Sequence, residues 1–405
     1  MTTRFFVNPT QPLRTVDTQG ELFASLTRII ELTPPDHHST QWAYQGLYGG
    51  PTSIAYALYR LFQLYPYLAV KHQSLLGWAH DYLKIYCDEY GLDEYGLDEY
   101  GLDEYGLDEY GLDEYGLDEY GDNVLFAPTP NDCGICNNTL AQVALSAVML
   151  GDTIYVRKLC SYATAINSPD EFGKNSWWRG RAGYLYFLRL CRDKTVERIL
   201  AGYQTWMSYP GDDPHDEFTL LGAAHGTMGI ICQIVLSMPS VAPTLQKALA
   251  DILTHQCESG NFPAVLALFP EDELVQFCSG GPGYVISLRS LLPHFPDLRE
   301  RIQNAMRAAQ SDTWRRGLLT KKPCLCHGIA GNALALDDDN QFFHMLSFTG
   351  SDQMEQMDRL LGREDRDDQE AYAEVGLYEG EAGRAWAWAI ADKGLTRTFI
   401  GYNDV

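Results

Sequence analysis

The sequence predicts an all-α fold in which seven helical hairpins, seven inner and seven outer helices, close into a ring. Three observations predict it. Small glycine-rich turns recur through the 405 residues, each followed by an apolar run of helical length. From the second turn onward the key glycines 134, 180, 226, 280, 328 and 380 fall 46, 46, 54, 48 and 52 residues apart. A period near 50 residues fits two helices and two loops per unit. The runs that follow the turns are too apolar for surface helices, while the stretches between them are amphipathic.

The first turn is Leu47-Tyr48-Gly49-Gly50. The gap from Gly49 to Gly134 is 85 residues, because a tandem DEYGL pentad occupies Asp88 to Gly121. A period of five fits neither helix nor strand, and a glycine in every unit disfavours both. Its composition resists burial, so residues 88–121 are expected to form a solvated insert in one unit. Removing about 30 residues leaves a gap of about 55, in step with the other units. The remaining turns are Cys133-Gly134, Arg179-Gly180-Arg181-Ala182-Gly183, His225-Gly226-Thr227-Met228-Gly229, Cys278-Ser279-Gly280-Gly281-Pro282-Gly283, His327-Gly328-Ile329-Ala330-Gly331 and Glu379-Gly380-Glu381-Ala382-Gly383. Gly183–Cys191, Ile230–Leu236 and Tyr284–Leu292 are expected in the inner layer, and Pro296–Trp314 in the outer one. A single domain over 1–405 follows, with all the glycine turns at one end. Seven inner-helix N-termini would then surround one cavity mouth, where amide dipoles favour anionic ligands.

Composition narrows the partners. The net charge of −24 argues against nucleic acid or anionic lipid, although seven Asp-Glu pairs in the insert supply 14 of those charges. No run reaches the roughly 18 apolar residues of a membrane span. The opening MTTRFFVNPTQPL has no apolar signal core. Ten cysteines at irregular spacings predict no disulfide framework. A cytoplasmic protein with at most peripheral membrane association is expected.

The chemistry concentrates in KKPCLCHGIAGNALAL, residues 321–336. Cys326 and His327 sit at the mouth of a helix, and thiolate and imidazole are common zinc-binding groups. Cys278, in the same setting one unit earlier, could complete a set. Two thiolates and one imidazole would leave a fourth tetrahedral position open, the pattern of a catalytic zinc.

The segments WWRGRAGYLYFL, AAHGTMGI, FCSGGPGYVISL, CLCHGIAGNAL and LYEGEAGRAW together resemble the lanthionine synthetase C-like (LanC-like) family, over essentially the whole chain. Arg4-Phe5-Phe6-Val7-Asn8-Pro9 is similar to the opening of its eukaryotic branch. The resemblance implies an α/α toroid with one zinc ion at its mouth, held by Cys278, Cys326 and His327, and an active-site histidine at His225. It also implies glutathione as the thiol substrate, added to dehydroalanine or dehydrobutyrine residues of proteins or peptides. Arg4, Lys321 and one of Arg363 and Arg366, with Arg366 preferred, match the family's glutathione anchors. Two departures stand out. Ile135 occupies the place of an acidic residue after the second-turn glycine, with Asp132 out of register. No arginine precedes Cys278, which weakens a peptide-cyclase alternative. A zinc- and glutathione-binding scaffold without turnover is the other alternative, and Cys324 is an extra thiol beside the expected ligands. A glycosidase would need paired carboxylates, for which only Glu379 and Glu381 are candidates.

Overall fold

The computed structural model of the chain describes residues 4–9, 16–35, 45–89, 127–168, 173–192, 220–266, 272–361 and 375–405. Arg363, Arg366 and the pentads beyond Glu89 lie outside the described residues. In chain order the helices are α1 (Thr18–Leu32), α2 (Pro51–Leu64), α3 (Leu75–Glu89), α4 (Asn138–Leu150), α5 (Thr153–Ser161), α6 (Ala163–Ile166), α7 (Arg181–Leu190) and α8 (Thr227–Ser237). They continue as α9 (Ala242–Ile252), α10 (Gly281–Leu291), α11 (Arg299–Arg316), α12 (Ile329–Leu334), α13 (Asp339–Leu346), α14 (Ser351–Leu361) and α15 (Glu381–Lys393). A two-residue antiparallel ribbon, Ala69–Val70 with Gln73–Ser74, joins α2 to α3.

The inner layer is a closed circle. Helices α2, α4, α7, α8, α10, α12 and α15 touch in that order, and α15 packs back on α2. Outside them α3 covers α2, α5 covers α4, α9 covers α8, α11 covers α10 and α13 covers α12. The first helix of the chain, α1, covers the last, α15, so the N-terminal segment completes the final hairpin. The expected outer helix after α7 falls in 193–219, outside the described residues. The pentad sequence begins within α3, whose last two residues are Asp88 and Glu89.

Burial separates the layers as the sequence predicts. In α15 every residue from Glu381 to Ala391 is buried, and in α2 every residue from Pro51 to Leu58. In α11 only Ile302, Ala305, Met306, Ala309, Asp312 and Thr313 are buried, a single stripe at helical spacing.

The Gly-x-x-Gly turns have a local steric cause. A Cβ on Gly229, Gly283, Gly331 or Gly383 would lie 1.9, 2.0, 1.9 or 2.0 Å from the carbonyl oxygen six residues earlier. Each turn therefore folds its incoming strand of chain against the first turn of its helix. The second turn departs from this plan. Its helix is capped by Asn137, whose side chain accepts the Leu140 N–H, three residues later than the glycine spacing placed it. Gly134 instead packs against Gly183 of the next turn, where a Cβ on Gly183 would meet the Gly134 Cα at 2.6 Å.

The segment Phe399–Val405 fills the axis. Arg189 of α7 is buried and donates to Gln233 Oε1 (2.8 Å), Tyr402 O (2.9 Å), Val405 O (2.9 Å) and Ser237 Oγ (3.0 Å). Asp404 accepts from Tyr56, Tyr186 and Arg60. Nearer the turns, Trp177 Nε1 donates to Gly401 O and Tyr378 OH to Ile400 O.

Candidate functional site

Backbone hydrogen bonds link the turns into a second circle. Cys136 N–H donates to Trp178 O (3.2 Å), Trp178 to Ala224 O (3.1 Å), Ala224 to Cys278 O (3.4 Å) and Cys278 to Cys326 O (3.1 Å). Cys326 N–H donates to Tyr378 O (2.9 Å) and Tyr378 to Tyr48 O (3.1 Å), and Leu47 to Ile135 O (2.8 Å) completes it. The residue just before each helix cap is Gly49, Cys136, Arg179, His225, Ser279, His327 or Glu379. Each of these is half-buried or exposed, while the cap that follows it is buried. They form the accessible collar of the mouth. One residue further in stand Tyr48, Ile135, Trp178, Ala224, Cys278, Cys326 and Tyr378, all buried except Trp178.

Cys278 and Cys326 come from adjacent turns, and their side chains hydrogen-bond to each other. The Cys326 thiol holds the Cys278 group below its ordinary pKa, against the cost of burial, with help from Gln276, Ser279 and the Lys321 charge. Cys326 is pushed the other way by its partner and by burial. Gln276 Nε2 donates to Cys278 Sγ at 2.9 Å, and Lys321 Nζ donates to Gln276 Oε1 at 2.7 Å. A cation thus reaches the sulfur through one amide. On the other side Tyr48 OH hydrogen-bonds with the Cys326 side chain and donates to Glu379 Oε1 at 2.8 Å. His327, next to Cys326 in the collar, is held below the usual imidazole pKa by burial.

His225 lies two turns from Cys326. Its ring is 4.8 Å from that of Trp178, which is 4.0 Å from that of Tyr48. Crowding in the rim and the Arg179 charge hold its pKa below the ordinary value.

The comparisons with known proteins bear on this arrangement. The model of the lanthionine synthetase C-like protein family matches residues 154–390, more than half of the chain. The chain belongs to the lanthionine synthetase C-like family. It is 31% identical over 118 residues to glutathione S-transferase LANCL1 of Danio rerio, which is 28% of each chain. It is 29% identical over 197 residues to LanC-like protein GCL1 of Arabidopsis thaliana, covering 45% of this chain and 42% of that one. The matched segments span less than half the length of either relative. Among solved structures nisin cyclase superposes with a TM-score of 0.56 at 14% identity, covering 89% of this chain and 91% of that one, which supports the shared toroid.

For a LanC-like chain the donor chemistry at the mouth suits zinc: two sulfurs already face each other, and an imidazole follows the second directly. Among the described residues no group of three or more His, Cys, Asp or Glu side chains is gathered to hold a metal ion. Cys324 is buried, and burial pushes its thiol up to about 12, so it is a neutral core group beside the pair. Arg4 is not held free as an anchor. It pairs with Glu273 at 2.5 Å, with both side chains more than half exposed, an arrangement worth little in water. Its carbonyl accepts Thr320 N–H, which stations it beside Lys321. Ile135 is fully buried, and Asp132 accepts from Asn137 Nδ2, so the second turn offers the mouth no carboxylate from either position. Glu381 is buried in ion pairs with Arg28 and Arg384, away from Glu379, and the two carboxylates do not act as a pair.

Gln276 and Tyr48 are site residues that the sequence does not single out, and Glu379, a glycosidase candidate there, instead accepts from Tyr48. Tyr48 could have been found by aligning the turns on their caps, since it holds the same position as Cys278 and Cys326. A glutamine two residues before a cysteine carries no such signal.

Proposed function

We propose that this protein joins glutathione to dehydroalanine or dehydrobutyrine residues in proteins or peptides. The pairing of Cys278 with Cys326 at the mouth of a LanC-like ring, with Gln276 donating to the Cys278 sulfur and Lys321 behind it, carries the proposal. Cys278, Cys326 and His327 would hold one zinc ion, which supplies a bound thiol with the field that makes it a thiolate at neutral pH. Lys321 would bind a glutathione carboxylate, with Arg4 beside it and Arg366 as a third anchor from the segment before the last turn. His225, neutral at rest, takes the thiol proton as glutathione is loaded. The sulfur forms its bond to the β-carbon of the acceptor, the double-bond pair moves to the α-carbon, and His225 returns the proton there. No group leaves, so the addition balances. No described helix is long and apolar enough to cross a membrane. The nine cysteines whose side chains are described are all free, and we place the protein in the cytoplasm, where glutathione is abundant.

The test is mass spectrometry of a dehydroalanine peptide after incubation with zinc-loaded protein and glutathione. A glutathione adduct formed faster than without protein is expected. A fully metallated wild type that gives no adduct would retire the activity. Buried Ile135 favours one other reading, a zinc- and glutathione-binding scaffold, and tight glutathione binding without any adduct would select it.

Two further outcomes follow. Lys321→Ala should raise the KM for glutathione about tenfold, the loss of one charge-assisted hydrogen bond, with kcat changing less. Initial rates across glutathione concentrations check it. Because the His225 pKa lies below the usual 6.5, its neutral form persists into mild acid. The rate should therefore hold as pH falls to 6.5 and drop only below it, in a limb that His225→Asn removes. A wild-type limb centred above 6.5 would contradict this role.

A further inference from the structure

We propose that Arg179 reads an anionic side chain, carboxylate or phosphate, beside the acceptor residue of the peptide substrate. This rests on the reaction proposed above and names the class of acceptor it takes. In ring order the collar runs Gly49, Cys136, Arg179, His225, Ser279, His327 and Glu379. The thiol pole lies at the fifth and sixth turns, with Cys278, Cys326 and Lys321. Arg179 stands on the third turn, next to His225 and two turns from Cys278 in the ring order.

The charged groups around the mouth differ in what holds them. Glu379 accepts from Tyr48, Lys321 donates to Gln276, and Arg4 pairs with Glu273. Arg179 is exposed, and among the described residues no hydrogen-bond or ion-pair partner engages its guanidinium. Beside it the exposed His225 ring lies 4.8 Å from that of half-buried Trp178, an accessible aromatic surface for a peptide. A planar guanidinium in this place binds carboxylate or phosphate through two parallel hydrogen bonds.

The experiment is calorimetric titration of the full-length protein with unreactive peptides. Alanine replaces the dehydro residue, and the flanking residue is glutamate, phosphoserine or glutamine. The anionic peptides should bind about tenfold more tightly than the glutamine one, as for one charge-assisted contact. Whichever anionic peptide binds better identifies the source of the anion. Arg179→Gln should bring all three to the same affinity, and Arg179→Glu should reverse the preference towards a lysine-flanked peptide. Equal binding of the three by the wild type, or a preference that survives Arg179→Gln, would overturn the proposal. Since no reaction is needed, binding of acidic peptides without an adduct on their dehydroalanine counterparts would sink the activity and leave this contact standing.

Discussion

Cys326→Ala is expected to leave the ring folded, remove its zinc and abolish glutathione addition. The change deletes one of two facing sulfurs and leaves Cys278 without the thiol that lowers its pKa. A metal contributes several kcal/mol of charge stabilisation to reactions of this kind. Losing it corresponds to a rate loss on the order of a thousandfold. Metal analysis should find about one zinc per chain in the wild type and none in the variant. Circular dichroism separates this from unfolding. Cys324→Ala is the control. That thiol is buried and neutral, so both metal content and rate should stay at wild-type levels. Equal metal in wild type and Cys326→Ala would remove the zinc centre from the account.

Gly331→Ala is expected to cost the fold heavily for a single added methyl group. The new Cβ would sit 1.9 Å from the Leu325 carbonyl oxygen, which belongs to the turn carrying Cys326 and His327. That oxygen is backbone and cannot rotate aside, so the turn must lift off α12. Overpacking of this kind costs about 3 kcal/mol, and here it also displaces the site. Gly394→Ala makes the contrast. Gly394 has φ +60° with nothing within 4 Å of an added Cβ, so only backbone strain applies, about 1 kcal/mol. Chemical denaturation of both variants measures the difference. A Gly331→Ala protein as stable as Gly394→Ala would contradict the close approach.

The ordinary turns were legible in the chain because their cause is local. The second glycine of each Gly-x-x-Gly is required by a carbonyl only six residues away, so the motif repeats wherever the geometry does. The second turn was misplaced for the complementary reason. Asn137 caps its helix through its own side chain, and Gly134 answers to the Trp178 carbonyl, 44 residues on, which a Cβ would meet at 2.2 Å, a constraint that no local pattern carries.

The all-α ring, its layers and the turns bearing Cys278, Cys326, His327 and His225 are legible along the chain, because apolar period and turn chemistry are properties of neighbouring residues. What each of these groups meets depends on contacts between turns far apart in the chain. Lys321 reaches Cys278 through Gln276, and Tyr48 from the first turn bonds Glu379 from the last, 331 residues away. Arg4, a free anchor by motif, is paired with Glu273, while Arg179 is left uncommitted at the mouth. These contacts exist only because the ring closes. Closure brings together side chains distant in sequence, and their charges and hydrogen bonds then set which groups are engaged and which cation stays free to bind.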